Sequence, residues 1–209
     1  MHLDFNLLKI LKVNDYDCTI TLNFEYGMKW AEPRLKISSN VTADKSIPLP
    51  QSLVKLLWQP DSIIEGLQNL KIHEHNNYDT MYLVNNTILY YVREMEVSVY
   101  CKMNFKNYPL DSHTCGLWIL SKHPSDIFKY SLDILDYHSD YQVRLLEYHF
   151  KVYGDAMEIS GEHFSTYNAG FVIYMDRKIQ KYIINQYVPS GLLVMISWVS
   201  LLLEFTKRL

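Results

Sequence analysis

Along much of the chain apolar and polar residues alternate one by one. Ile20, Leu22 and Phe24 are interleaved with Thr19, Thr21 and Asn23, and Met95, Val97, Val99 and Cys101 with Glu94, Glu96, Ser98 and Tyr100. A period of two places one set of side chains on a core and the other in water, which is the mark of a half-buried strand. Turn signals recur between such stretches: Trp30 to Arg34 with Pro33, Ile47-Pro48-Leu49-Pro50, Trp58 to Asp61 with Pro60, Tyr108-Pro109 and His123-Pro124-Ser125-Asp126. Residues 1–181 are therefore expected to be mainly β, an immunoglobulin-like antiparallel β-sandwich with no internal repeat and no dividing linker. The pattern changes at the far end. From Tyr182 to Leu203 there is no charge, between Lys181 and Glu204. Residues 182–203 are long enough for one transmembrane α-helix, with a buried helix of a soluble domain as the alternative. Cations flank both ends of the segment, so charge does not set its orientation.

Composition narrows the function. Lys and Arg total 20 against 23 Asp and Glu, a net charge of −3, which argues against a nucleic-acid partner. With 48% apolar and 21% charged residues the chain is not of a disordered type. Tyr occurs 17 times and Gly only 7 times, which favours strands and leaves no Gly-rich nucleotide fingerprint. No hydrolase or zinc-enzyme signature is present, so neither an enzyme nor a cofactor is expected. The opening Met1-His2-Leu3-Asp4-Phe5 does not read as a signal peptide. His73 and His75 would share one strand face, a weak metal or proton-sensing pair beside the plainer reading of solvated histidines. Asn40-Val41-Thr42 and Asn85-Asn86-Thr87 are glycosylation sequons, at Asn40 and Asn85. Of the three cysteines, Cys101 and Cys115 have thirteen residues between them and flank a turn. Bridged, they would close a loop of about 15 residues, worth about 3 kcal/mol in the chain-entropy model. Left reduced, they are two buried thiols. Cys18 is left over.

Cys101, Tyr108-Pro109-Leu110-Asp111 and Cys115 together resemble the signature of the Cys-loop receptors. Trp30-Ala31-Glu32-Pro33-Arg34-Leu35, Trp58-Gln59-Pro60-Asp61 and the run from Arg177 through Val188-Pro189-Ser190 to Ser197-Trp198-Val199-Ser200 resemble three further family blocks, in the same order. The resemblance spans nearly the whole chain. Pro189-Ser190, the Ser197 to Ser200 run and Phe164-Ser165-Thr166-Tyr167-Asn168-Ala169-Gly170, which has no adjacent cysteine pair, are similar to the anion-channel branch with its receptors for GABA, glycine and glutamate.

The resemblance implies an extracellular ligand-binding sandwich at residues 1–181, a first membrane helix at 182–203 and a divergent tail at 204–209. It implies a subunit, or fragment of one, of a homo- or heteropentameric neurotransmitter-gated chloride channel in the plasma membrane, at a synapse. A small-molecule agonist would bind between subunits. The other reading is a membrane-tethered or decoy binding module without channel activity. The resemblance also implies a Cys101–Cys115 disulfide. Asp111 and Pro109 at the loop tip, Arg177 before the span and Asp15 in a first lower loop would couple binding to gating. Turn formation and membrane flanking are the plainer roles of Asp111 and Arg177. Gly27 stands where glycine and many GABA receptors carry an arginine for the agonist carboxylate. Arg93 matches an arginine on the complementary face, and Phe164, Thr166 and Tyr167 lie in the capping loop. The plainer roles are an exposed, Glu-paired Arg93 and a Tyr167 that fills a sandwich edge.

Overall fold

A computed structural model describes residues 1–35, 46–72, 80–85, 87–126, 129–137, 147–160 and 165–207. Its strands are β1 (His2–Asn14), β2 (Thr19–Ala31), β3 (Ile47–Pro48), β4 (Ser62–Ile64), β5 (Leu67–Ile72), β6 (Thr80–Asn85), β7 (Ile88–Tyr100), β8 (Ser112–Pro124), β9 (Ser131–Tyr137), β10 (Tyr148–Ser160) and β11 (Ser165–Arg177). A short helix, α1 (Gln51–Val54), lies between β3 and β4. The larger sheet runs β3-β6-β7-β2-β1-β9, with β5 also on β7, and the smaller runs β10-β11-β8-β4. Neighbours pair antiparallel except β1 and β9, which are parallel. The antiparallel expectation is corrected at this edge. β9 follows β8, a strand of the other sheet, and the long route between β1 and β9 supplies the crossover that parallel pairing needs.

Alternation decides what is buried. In β2 the even positions from Ile20 to Trp30 face the core, and in β8 the odd positions from His113 to Ser121 do. In β1, Leu3, Phe5 and Leu7 face inward, but so does Ile10. Register shifts at Leu7/Lys9 and Ile10/Lys12 accompany this change of parity. Phe5 and Phe24 of the larger sheet meet Phe171 of the smaller one edge to face, with ring centroids 5.7 and 6.0 Å away, a favoured aromatic geometry. The two sheets are also joined covalently: Cys101, just past β7, is bonded to Cys115 in β8, with Cα atoms 5.1 Å apart. Cys18 is free. At Gly170 in β11 the backbones come so close that a Cβ would lie 1.9 Å from the Leu117 carbonyl oxygen.

After β11 the chain turns helical. α2 (Gln180–Tyr182) leads through a π-helical turn (Ile183–Tyr187) into α3 (Val188–Lys207). Gln180 to Leu203 is long and apolar enough to cross a membrane. Its side chains are exposed from Ile183 to Leu203.

Candidate functional site

Odd positions of β11 face inward, and the row Ala169, Phe171, Ile173, Met175 ends on Arg177. The same alternation that builds the core thus places a guanidinium at the end of the sandwich, next to the helix. Its side chain is fully buried, as are those of Asp111 and His113. Arg177 Nε donates to Asp111 Oδ1 at 2.7 Å and an Nη to Asp111 Oδ2 at 3.0 Å, a two-pronged pair. That Nη also donates to Asp15 Oδ2 at 2.8 Å, from the turn between β1 and β2. The other Nη lies 3.6 Å from Glu147 Oε2 and 3.4 Å from the Tyr182 hydroxyl of α2. Tyr108 and Tyr148 cover the guanidinium, with ring centroids 5.0 and 4.5 Å from its central carbon. Cation–aromatic contacts of this kind strengthen once water is removed.

The surroundings support full charge at the centre. Burial disfavours the Arg177 cation, but hydrogen bonds to Asp111 and Asp15 outweigh it and raise its pKa. Burial likewise opposes ionisation of Asp111, yet the hydrogen bonds from Arg177 prevail and hold its carboxyl below the usual range. Glu147 is lowered by Lys181, against its partial burial, and then by the Tyr182 hydroxyl. Tyr148 is raised, first by burial and then by Asp15, whose Oδ1 accepts its hydroxyl at 2.8 Å.

The cluster joins four segments: the β1–β2 turn, the loop closed by Cys101–Cys115, the start of β10 and α2. Asp111, Asp15 and Arg177 meet in it. Pro109 lies at the loop tip after Tyr108, across a cis peptide bond. His113, Glu147, Tyr148 and Tyr182 are absent from the residues that sequence reasoning selects. The inward parity of β8 is a signal that could flag His113. Glu147 and Tyr148 carry no local signal, because strand pairing brings them to Arg177, whereas Tyr182 reaches it from the first helical turn, five residues along the chain.

The other end of the smaller sheet is built differently. The β10–β11 register runs from Tyr148↔Arg177 to Ser160↔Ser165, which is roughly 40 Å at strand rise. There the hairpin is tied to the segment after β8. Ser125 Oγ donates to Glu158 Oε1 at 2.5 Å, and the Ser125 amide donates to the Ser165 carbonyl at 2.7 Å. Tyr167 pairs directly with Glu158 and packs partly on the core; Thr166 pairs with Pro124. Phe164, Asn40, His73 and His75 lie outside the described residues. Asn85 ends β6, and its side chain is likewise outside them. No group of three metal-ligating side chains occurs among the described residues.

Arg93 and Gly27 fall on opposite faces of the larger sheet. Arg93 pairs with inward-facing Tyr26 and lies between inward-facing Tyr91 and Met95. It lines a cavity of about 400 Å³ with Tyr26, Tyr91 and Asp61, its guanidinium 5.4 Å from the Tyr91 ring centroid. The physical reason is parity: Arg93 belongs to the row that continues through Met95, Val97 and Val99 into the core. On the outer face, Tyr90 covers Gly27, where an added Cβ would meet the Tyr90 hydroxyl at 2.8 Å. Lys29 is held by Asp4 at 2.9 Å and lies over the Tyr90 ring. Burial first, and then Asp4, push the Tyr90 hydroxyl up to about 12.

The sequence is similar to known proteins over most of its length. Residues 1–182 match the neurotransmitter-gated ion-channel ligand binding domain. The chain is 30% identical over 192 residues to the gamma-aminobutyric acid receptor subunit pi of Rattus norvegicus, a match covering 89% of this chain and 42% of that protein. It is 24% identical over 221 residues to pH-sensitive chloride channel 2 of Drosophila melanogaster, covering 96% of this chain and 41% of that protein. The chain spans less than half the length of these relatives.

Proposed function

The chain belongs to the neurotransmitter-gated ion-channel ligand-binding family, the Cys-loop receptors, which are channels and not enzymes, and from that premise we propose that it is the binding and coupling part of a chloride-conducting pentameric subunit. Agonist between neighbouring subunits would favour one of two packed arrangements of the sandwich, and the Arg177 cluster would carry that preference to the membrane helix. The observation that supports this reading is one buried cation held by Asp15, Asp111, Glu147 and Tyr182. These four contacts come from four separate segments, including the start of the helix. A shift in any of the segments changes the surroundings of a charge that has no water to fall back on. The proposed setting is an extracellular sandwich on a plasma-membrane channel at a synapse, with glycans at Asn40 and Asn85.

The proposed agonist is a cationic amine without a carboxylate. Gly27 offers no guanidinium, Tyr90 fills the space above it, and Arg93 points to the other side of the sheet. Tyr167 beside Glu158, with Thr166 and Phe164 in the same capping segment, suits an ammonium group. The test uses the assembled full-length channel in a voltage-clamped cell, with GABA, glycine, glutamate and a panel of biogenic amines applied in turn. Amine currents whose reversal potential follows chloride support the reading; currents evoked by the amino acids alone overturn the agonist class. Arg177→Glu is expected to lower surface expression and to abolish current from the channels that still reach the surface. Normal gating of that variant would remove the coupling role.

A further inference from the structure

His113 is fully buried between two partners that demand opposite things of its ring. Its Nδ1 accepts the backbone N–H of Asn104 at 3.3 Å. Its Nε2 lies 2.6 Å from Asp111 Oδ2. A nitrogen that accepts an amide proton carries none itself, so the ring proton belongs on Nε2 and is donated to Asp111. Phe105 and Tyr148 hold the ring edge-on, with centroids 5.0 and 5.9 Å away.

We propose that His113 is a positioning residue of the coupling cluster, a rigid brace that runs from the Asn104 backbone through the imidazole to Asp111 and so fixes the carboxylate that Arg177 grips. The disulfide closes the base of the loop, and His113 forms a second cross-link within it. Asp111 Oδ2 must serve both Arg177 and His113, so the imidazole sets the plane in which the two-pronged pair can form. The same arrangement makes the brace sensitive to a proton. Protonation would place an N–H on Nδ1 directly against the Asn104 N–H, and that link would open. The titratable or charged groups around the ring are Asp111 on its own loop, Arg177 from β11 and Tyr148 from β10. Asp15 and Glu147 stand behind Arg177.

This inference rests on the coupling reading only for its consequence in gating; the brace itself is testable in the full chain in detergent. Nitrogen-15 spectra of labelled histidine should show His113 as the Nε2–H tautomer. His113→Gln keeps a donor toward Asp111 and loses the acceptor for Asn104; His113→Asn keeps the near acceptor and loses reach to Asp111. The unfolding midpoint of His113→Asn is expected to fall by about 5 °C, as for a buried hydrogen bond lost to a charged group in a domain of this size. The same change in an Asp111→Asn background should cost much less. Gln is expected to retain most of the lost coupling. An Nδ1–H tautomer, or additive effects of the His113 and Asp111 changes, would overturn the brace whatever Arg177 does in gating. If Arg177→Glu channels gate normally while the tautomer and the coupling hold, the coupling reading fails and the brace stands. In assembled channels, acid block present in the native protein and absent in His113→Gln extends the brace to gating; acid block equal in both would overturn its proton sensitivity.

Discussion

The two ends of the smaller sheet are held by different physics. Near the helix, β10 and β11 close on a buried cation with carboxylates from three segments and two aromatic faces. At the hairpin end, β10 from Met157 to Ser160 is exposed, and Ser125, just after β8, holds Glu158 of β10 through its hydroxyl and Ser165 of β11 through its amide. The first end is costly to disturb because every partner removed leaves a charge stranded away from water. The second can open and close at little cost, because water replaces what is lost. In the proposed receptor the hairpin end would serve as a flap over the ligand and the Arg177 end as the stiff junction that reports its arrival. The contrast therefore predicts a steep gradient of mutational cost along about 40 Å of one strand pair.

The largest effect is expected at the centre of the cluster. Arg177→Gln leaves Asp111 buried without its counter-ion and should cost about 3–5 kcal/mol of folding stability, measured by thermal or denaturant unfolding of the chain in detergent. A loss below about 1 kcal/mol would mean that the junction is no stiffer than the flap. Opening the Cys101–Cys115 bond by paired substitution with Ser comes next, at about 3 kcal/mol, read by the same measurement. Asp111→Asn should cost about 2 kcal/mol at neutral pH. It also carries a signature in pH. The carboxyl of Asp111 is lowered in the folded chain, so its contribution is complete above the unfolded value of about 4. It is lost as pH falls through the lower folded value. Unfolding followed from pH 7 down to pH 2 should therefore show an acid limb below about pH 4 that is weaker in Asp111→Asn. Glu147 has the same sign, but it is a third exposed and contributes less.

Much of this contrast is legible in the amino-acid order alone. Alternation in β2 and β7 marks the buried rows, and the Cys101–Cys115 spacing with Tyr108-Pro109-Leu110-Asp111 points to the closed loop beside Arg177. What escapes is whatever depends on register. Arg93 reads with its motif and not with its strand, although Met95, Val97 and Val99 already define its row; shifting parity by one residue moves a side chain to the opposite face. Glu147 and Tyr148 come near Arg177 only because Tyr148 pairs with it across the whole of β10–β11, and no local pattern encodes that. The parallel edge between β1 and β9 is hidden for the same reason, since a crossover leaves no periodic trace in either strand.

The smallest expected effect is the most discriminating. Ser125→Ala removes the hydroxyl that Glu158 accepts but keeps the Ser125 amide bond to Ser165. Glu158 is exposed and regains water, so the change should cost only about 0.5–1 kcal/mol, about 2–4 °C in the midpoint. Local opening should respond far more. Amide hydrogen exchange at residues 157–160 and 165–167 reports the free energy of hairpin opening, not of global unfolding, and should speed up several-fold while Tyr148 and Ile173 to Arg177 stay unchanged. Exchange that rises equally at both ends would mean that the hairpin and the Arg177 junction open as one unit. In that case the sheet would contain one cooperative element where the contact geometry argues for two.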